Sequence, residues 1–291
     1  MSGRAGGQLV AAVVGGFAAA GAARAAYALL NRRAPGGTKL WSRTNHRGEP
    51  VTLLEGPAVA AGAMLGSLAA HPAIAVAGAG AAVFGAYDDL RGSGDRRGFR
   101  GHISALLAGE VTTGAVKLGG IGATGLVSGV MAGGPPADVV INAGLIAGGA
   151  NLLNLFDLRP GRAIKVTIGS AGLISALAGP DAAAATAGTA APLGAAVALL
   201  PEDLGESAML GDCGANALGA MLGAAAAVTL PRPARLALLA GIAGLTAASE
   251  KVSFTKVIAR TPALHRLDML GRRPPAPHPP VKIPVPATPE E

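Results

Sequence analysis

The chain has 291 residues, 51% of them hydrophobic and 14% charged, with a net charge of +7 and a single Cys. Charged residues make up about 25% of an ordinary soluble domain. A water-soluble domain, a disordered chain and a disulfide or multi-cysteine metal scaffold are therefore excluded. Aromatic residues are only 3%, too few for the stacking platforms of a nucleic-acid binder. The basic surplus reads instead as a topology signal.

A membrane-crossing helix needs about 20 mostly apolar residues. In chain order, spans are predicted at 8–30, 51–70, 73–90, 115–134, 138–156, 164–179, 182–200, 210–230 and 234–250. The first reads as an uncleaved signal anchor, because further spans follow it. Short breakers separate several of the others: His71-Pro72, Gly133 to Pro136, Gly179 to Asp181 and Pro231 to Pro233. Residues 103–114 are too short to cross and read as an interfacial helix. The stretch 274–291 is Pro-rich, has no periodicity, and reads as a disordered cytoplasmic tail. The expected fold is all-α: residues 1–273 form one polytopic helical membrane bundle of about nine transmembrane helices.

Nine spans place segments 31–50, 91–102, 157–165 and 251–291 on one side. Those segments hold nineteen of the 24 Lys and Arg residues. The positive-inside bias makes that side cytoplasmic, with the N-terminus outside and the C-terminus inside.

The same alternation collects four acids. Asp88 and Asp89 close the third span, Asp157 follows the fifth, and Asp212 opens the eighth. All four fall on the cytoplasmic margin, although they are far apart in sequence. A single Asp at a helix end is commonly a cap. Four on one face, in Gly- and Asn-rich settings, point to chemistry. Mg²⁺ takes oxygen ligands, commonly one or two carboxylates plus phosphates and water. Asp88 and Asp89 are adjacent on a helix and cannot point the same way, so one is free for a metal and the other for a substrate or a Lys. Glu110 and Lys117 are spaced to pair within the membrane.

At these residues the sequence resembles the polyprenyl-phosphate N-acetylhexosamine-1-phosphate transferases (glycosyltransferase family 4). That superfamily includes phospho-N-acetylmuramoyl-pentapeptide transferase and the WecA-like enzymes. NHRGEPVTLLEGP (45–57) is similar to the segment before the second span, and AYDDL (86–90) to the paired-Asp motif. NLLNLFDLRPGRA (151–163) resembles the Asn-rich motif, and MLGDCGANALGAMLG (209–223) the MGDxGSxxLG motif. The chain departs from the pattern at Pro160 and Gly92, where the family has carboxylates. Only His265 stands for the late His cluster, and Arg100, His102 or Lys117 for a Lys after the paired Asp.

The resemblance implies Mg²⁺-dependent transfer of a sugar-1-phosphate from a UDP-activated amino sugar to polyprenyl phosphate. The reaction would take place on the cytoplasmic face of the cell membrane, in cell-envelope polymer synthesis. It assigns catalysis to Asp88, Asp89 and Asp157, and Mg²⁺ to Asp212 and Asp89. Asn151, Asn154, Arg159, Lys117, Asn216 and His265 are assigned to substrate. The implied partners are polyprenyl phosphate, a UDP-sugar and the lipid bilayer, with a homodimer as a further expectation. Two alternatives stay open: a non-catalytic relative that binds polyprenyl phosphate or serves as a scaffold, and a transporter using Glu110 and Lys117 as a relay.

Overall fold

The computed structural model describes residues 3–92 and 109–274. Most of segment 103–114, all but the first residue of the tail, and the expected substitutes Arg100 and His102 lie outside the described residues.

The described chain is all-helical apart from one small hairpin. It runs α1 (Gly3–Arg32), α2 (Thr38–Trp41), β1 (Ser42–Thr44), β2 (Pro50–Thr52), α3 (Glu55–Ser67), α4 (Pro72–Arg91), α5 (Thr113–Ala132) and α6 (Pro136–Phe156). It continues through α7 (Arg162–Leu177), α8 (Ala182–Leu204), α9 (Gly211–Thr229), α10 (Arg232–Ser249), α11 (Phe254–Arg260) and α12 (Pro262–Met269). A helix occupies each of the nine predicted spans. Each predicted breaker separates two helices, and most of them set Pro in a first turn, where its missing N–H costs nothing.

Among the described residues, five helices are long and apolar enough to cross a membrane: α1, α4, α5, α6 and α8 with its 3₁₀ lead-in. Counting α10 and α11 as one span bent by 95° makes six. The expectation of nine was counted from apolar runs. Two of those runs yield helices of 13 and 16 residues, α3 and α7, short of the roughly 20 that a crossing needs. The α9 helix opens on Asp212 and Asn216, and α10 on Arg232 and Arg235.

The centre of the bundle is α9, buried from Cys213 to Ala227. It packs against α3, α4, α5, α6, α7 and α8, while α1 lies across α3 and α8. In an apolar solvent, packing rather than water exclusion holds helices together, and small residues allow close approach. Gly149 and Gly219 mark the α6–α9 crossing. A Cβ on Gly219 would lie 2.2 Å from the Gly149 carbonyl oxygen.

Contacts sort the helix ends into two sets. At one end, Ser128 Oγ donates to the Ala73 carbonyl at 2.6 Å, and Arg232 and Arg235 pair with Asp138 at 3.2 and 3.4 Å. At the other end sit the hairpin, the end of α4, the start of α9 and the segment after α10. There β2 pairs with the strand-like chain after α8, with the Met209 N–H donating to the Thr52 carbonyl at 3.0 Å.

Candidate active site

The α4 and α9 helices bring the paired Asp motif to the start of the central helix. An α-helix leaves its first N–H groups without partners and carries partial positive charge there. Asp89 meets both needs. Its Oδ1 accepts the Asp212 N–H at 3.0 Å and its Oδ2 the Cys213 N–H at 2.9 Å. One turn earlier, Gly85 lets α4 approach this closely, since a Cβ there would lie 2.3 Å from the Asp212 carbonyl oxygen. The Arg43 guanidinium, from the hairpin, donates to the Asp89 carbonyl.

Asp88, on the neighbouring face of α4, meets a cation instead. Lys117 Nζ, from the second turn of α5, lies 2.7 Å from Asp88 Oδ2 and also bonds Asp212 Oδ2. These three side chains keep 16–23% of their surface exposed. One ammonium with three N–H donors thus joins two carboxylates from different helices.

Behind them lies a second group of acids. Asp157, just past the end of α6, accepts the Gly211 N–H. Burial raises its carboxyl well above the usual carboxylate range, and the negative charges of Asp203, Asp212 and Asp89 raise it further. Glu55, at the start of α3, is fully buried, and neither of its carboxylate oxygens has a hydrogen-bond partner. Its electrostatic neighbours are Asp203, Asp157 and Glu202. Arg24 on α1 pairs with Glu202.

Asp157 also walls a cavity of about 200 Å³, together with His46, Arg159, Pro160, Asp203, Glu206 and Met209. Glu206 organises this wall. It adopts φ 59°, a left-handed backbone rare for a side-chain-bearing residue and typical of sites held by their surroundings. Its buried carboxylate accepts Arg47 Nε at 2.8 Å and Asn45 Nδ2 at 3.0 Å, and lies 3.6 Å from His46 Nδ1. Burial lowers the His46 pKa, although Glu206 pulls the other way.

The segment after α10 is strapped over this end. Asp268 takes two hydrogen bonds from Arg162, at 2.7 and 3.1 Å, and one from Arg272 at 2.8 Å. Arg273 pairs with Glu49 at 2.5 Å.

The structure therefore gathers Asp88, Asp89, Asp157, Asp212 and Lys117, with Arg159 in the adjoining cavity. Asn216 is buried one turn deeper on α9, and its Nδ2 lacks a partner. Asn154 contributes its carbonyl to the Asp157 N–H at 3.0 Å. Two residues do not join the cluster. Asn151 turns toward α10, 3.5 Å from Thr246 Oγ1, and His265 is exposed on α12. Asp89, expected as a metal ligand, also has each of its oxygens engaged by an N–H at the start of α9. Sequence reasoning missed Glu55, Glu202, Asp203 and Glu206. The available signal was Glu55, an acid inside predicted span 51–70, where charge is costly.

The donor set fits Mg²⁺ in kind: Asp88 and Asp212 offer carboxylate oxygens already converging on one cation. Among the described residues, no three His, Cys, Asp or Glu side chains could hold a metal by themselves.

Fold and site together define an all-helical protein with helices able to cross a membrane and a carboxylate–lysine cluster at one end of its bundle. No protein-family model matches the chain, and no curated protein matches it.

Proposed function

We propose that this chain is a membrane phosphoglycosyl transferase. It would move a sugar-1-phosphate from a UDP-activated amino sugar to polyprenyl phosphate, releasing UMP on the cytoplasmic side. The observation that carries the reading is the meeting of Asp88 and Asp212 on Lys117, at the bundle end that also bears the basic segments.

In this reading an oxygen of polyprenyl phosphate attacks the sugar-bearing β-phosphorus. A new P–O bond forms, the bond to the bridging oxygen breaks, and its electron pair leaves with UMP. Positioning and charge neutralisation account for most catalysis of this kind. Lys117 offsets the negative charge that develops on the diphosphate, and Asp88 and Asp212 would hold the metal. Bound Mg²⁺ would supply Lewis-acid neutralisation of the diphosphate oxygens. The nucleotide enters the cavity beside Asp157 and Arg159. An apolar cavity of about 730 Å³ between α1, α7 and α8 suits the lipid chain. Its lining residues Ala20 and Ala198 lie one turn from the Arg24–Glu202 pair, toward the acid-bearing end.

The test is UMP release by the purified protein in lipid, with polyprenyl phosphate and a panel of UDP-sugars. Release is expected from wild type and is lost in Asp88→Asn and Asp212→Asn. Wild-type protein that releases no UMP across the panel overturns the reading in favour of a non-catalytic lipid binder.

A further inference from the structure

The segment after α10 divides its charges into two sets. Those turned to the bundle are paired: Asp268 takes up Arg162 and Arg272, and Arg273 meets Glu49. Phe254 stacks on Phe156 with the ring centroids 5.0 Å apart. The other set is Lys251, Lys256, Arg260 and Arg266. All four are exposed, and none has an ion-pair partner among the described residues. Glu250 is the one exposed acid between residues 250 and 273.

Large apolar side chains stand between these cations. Val252, Val257, Leu264, Leu267 and Leu270 are 40–67% exposed. Removing such side chains from water is favourable, and a neighbouring Lys or Arg can follow them while its charged head stays at a polar boundary. The direction of the chain fits that boundary. The α11 helix is turned by 95° from α10, so with α10 upright in a bilayer α11 runs along the surface.

The mixture selects its partner. A nucleic acid needs exposed aromatic side chains for stacking, and the only aromatic side chain of this segment, Phe254, is engaged by Phe156. An acidic protein answers the cations but gives the scattered aliphatic side chains no continuous apolar phase. A neutral bilayer does the reverse. An anionic bilayer surface answers both.

We infer that α11, α12 and their flanking residues form an interfacial patch that binds anionic phospholipid headgroups. The inference rests on the membrane setting of the helices and not on the transferase reading. Arg162 and Asp268 tie the patch to α7, so it is presented as a fixed surface rather than a loose basic tail.

The experiment places a fluorescent label on Leu270→Cys of the full chain; Cys213 is buried, which directs the label to position 270. The chain is held in nanodiscs of phosphatidylcholine with roughly 30% phosphatidylglycerol, an anionic surface. Brominated acyl chains on one lipid or the other quench the label when that lipid is its neighbour. A basic residue near an anionic surface strengthens binding roughly fivefold, so phosphatidylglycerol is expected beside the label at no less than about threefold its share of the bilayer. Combining Lys256→Glu, Arg260→Glu and Arg266→Glu should return that ratio to its share, with quenching by phosphatidylcholine retained. Salt at about 1 M, which shortens the screening length to about 3 Å, should lower the ratio without any charge variant. Quenching by each lipid in proportion to its amount overturns the inference, as does an enrichment that survives both the charge reversals and the salt. A label quenched by neither lipid also overturns it and leaves the patch to a soluble partner.

Discussion

Asp89 and Asp212 lie 123 positions apart in sequence, and the N–H of Asp212 donates to Asp89 Oδ1 at 3.0 Å. One carboxylate thus caps the helix from which the other projects. Asp89 fixes the start of α9, and its neighbour Asp88 faces Lys117. The paired acids of one motif serve two different purposes because adjacent helix positions point about 100° apart.

This division predicts unequal costs. Removing a cap carboxylate costs about 1–2 kcal/mol. Asp89→Ala should therefore lower the thermal midpoint in lipid nanodiscs more than Asp88→Ala does. Asp89→Asn, which keeps one acceptor oxygen, should recover part of the loss. Equal midpoints for the two Ala variants would contradict the cap.

Lys117→Met leaves Asp88 and Asp212 facing each other without their cation. Breaking a buried pair costs about 3–5 kcal/mol, and partial exposure reduces this to about 2 kcal/mol here. The variant should lose UMP release. It should also gain more thermal stability from added Mg²⁺ than wild type does, since the metal then supplies the missing positive charge. Thermal scans with and without Mg²⁺ compare the two.

Asp157 carries a raised carboxyl pKa, caused first by burial and then by Asp203, Asp212 and Asp89. A carboxyl raised by folding favours the folded state when protonated. That contribution is complete below the unfolded pKa and is lost as pH rises through the folded one. Asp157→Asn should therefore stabilise the protein at neutral pH, and the gain should vanish in acid. Melting curves across pH test the sign, and an Asn variant less stable at neutral pH would contradict it.

Asp268 has the opposite sign. Burial raises its pKa, but hydrogen bonds and charge from Arg162, with Arg272 and Lys165, leave it lowered overall. Its stabilising contribution is present above the unfolded pKa and disappears as pH falls through the folded one. Asp268→Asn should release the α11–α12 segment at neutral pH. Limited proteolysis should then cut after α10 faster than in wild type, and the difference should close in strong acid.

Gly85 lets α4 touch the backbone of α9 where the site is built. Gly85→Ala puts a methyl 2.3 Å from the Asp212 carbonyl oxygen, and backbone cannot yield as a flexible side chain does. The variant should lose both stability and UMP release, whereas Gly119→Ala, which meets open space, should keep both. Activity and melting measured side by side distinguish them.

The helical class was legible because apolar runs of helical length and Pro/Gly breakers are local signals. Asp88, Asp157 and Asp212 were legible as one set because alternating helices return every second boundary to the same end. Asn151 and His265 show where that reasoning stops. Each has the right residue type near the right boundary, yet rotation about the helix axis turns Asn151 to Thr246 and leaves His265 exposed. Glu55 and Asp203 escaped notice for the converse reason. Each is one acid among apolar residues, and only the packing of α3 against α8 and α9 reveals that their oxygens lack partners.

Composition and the spacing of apolar segments were enough to determine an all-helical chain with helices able to cross a membrane, and to put its scattered acids at common boundaries. Those properties are set by nearest neighbours along the chain and by the thickness of a bilayer. Tertiary structure alone decided that Asp89 caps α9, that Lys117 links Asp88 to Asp212, and that Asp203 keeps an oxygen free. These depend on helix rotation, crossing depth and the few glycines that allow contact, none of which leaves a periodic mark in the sequence.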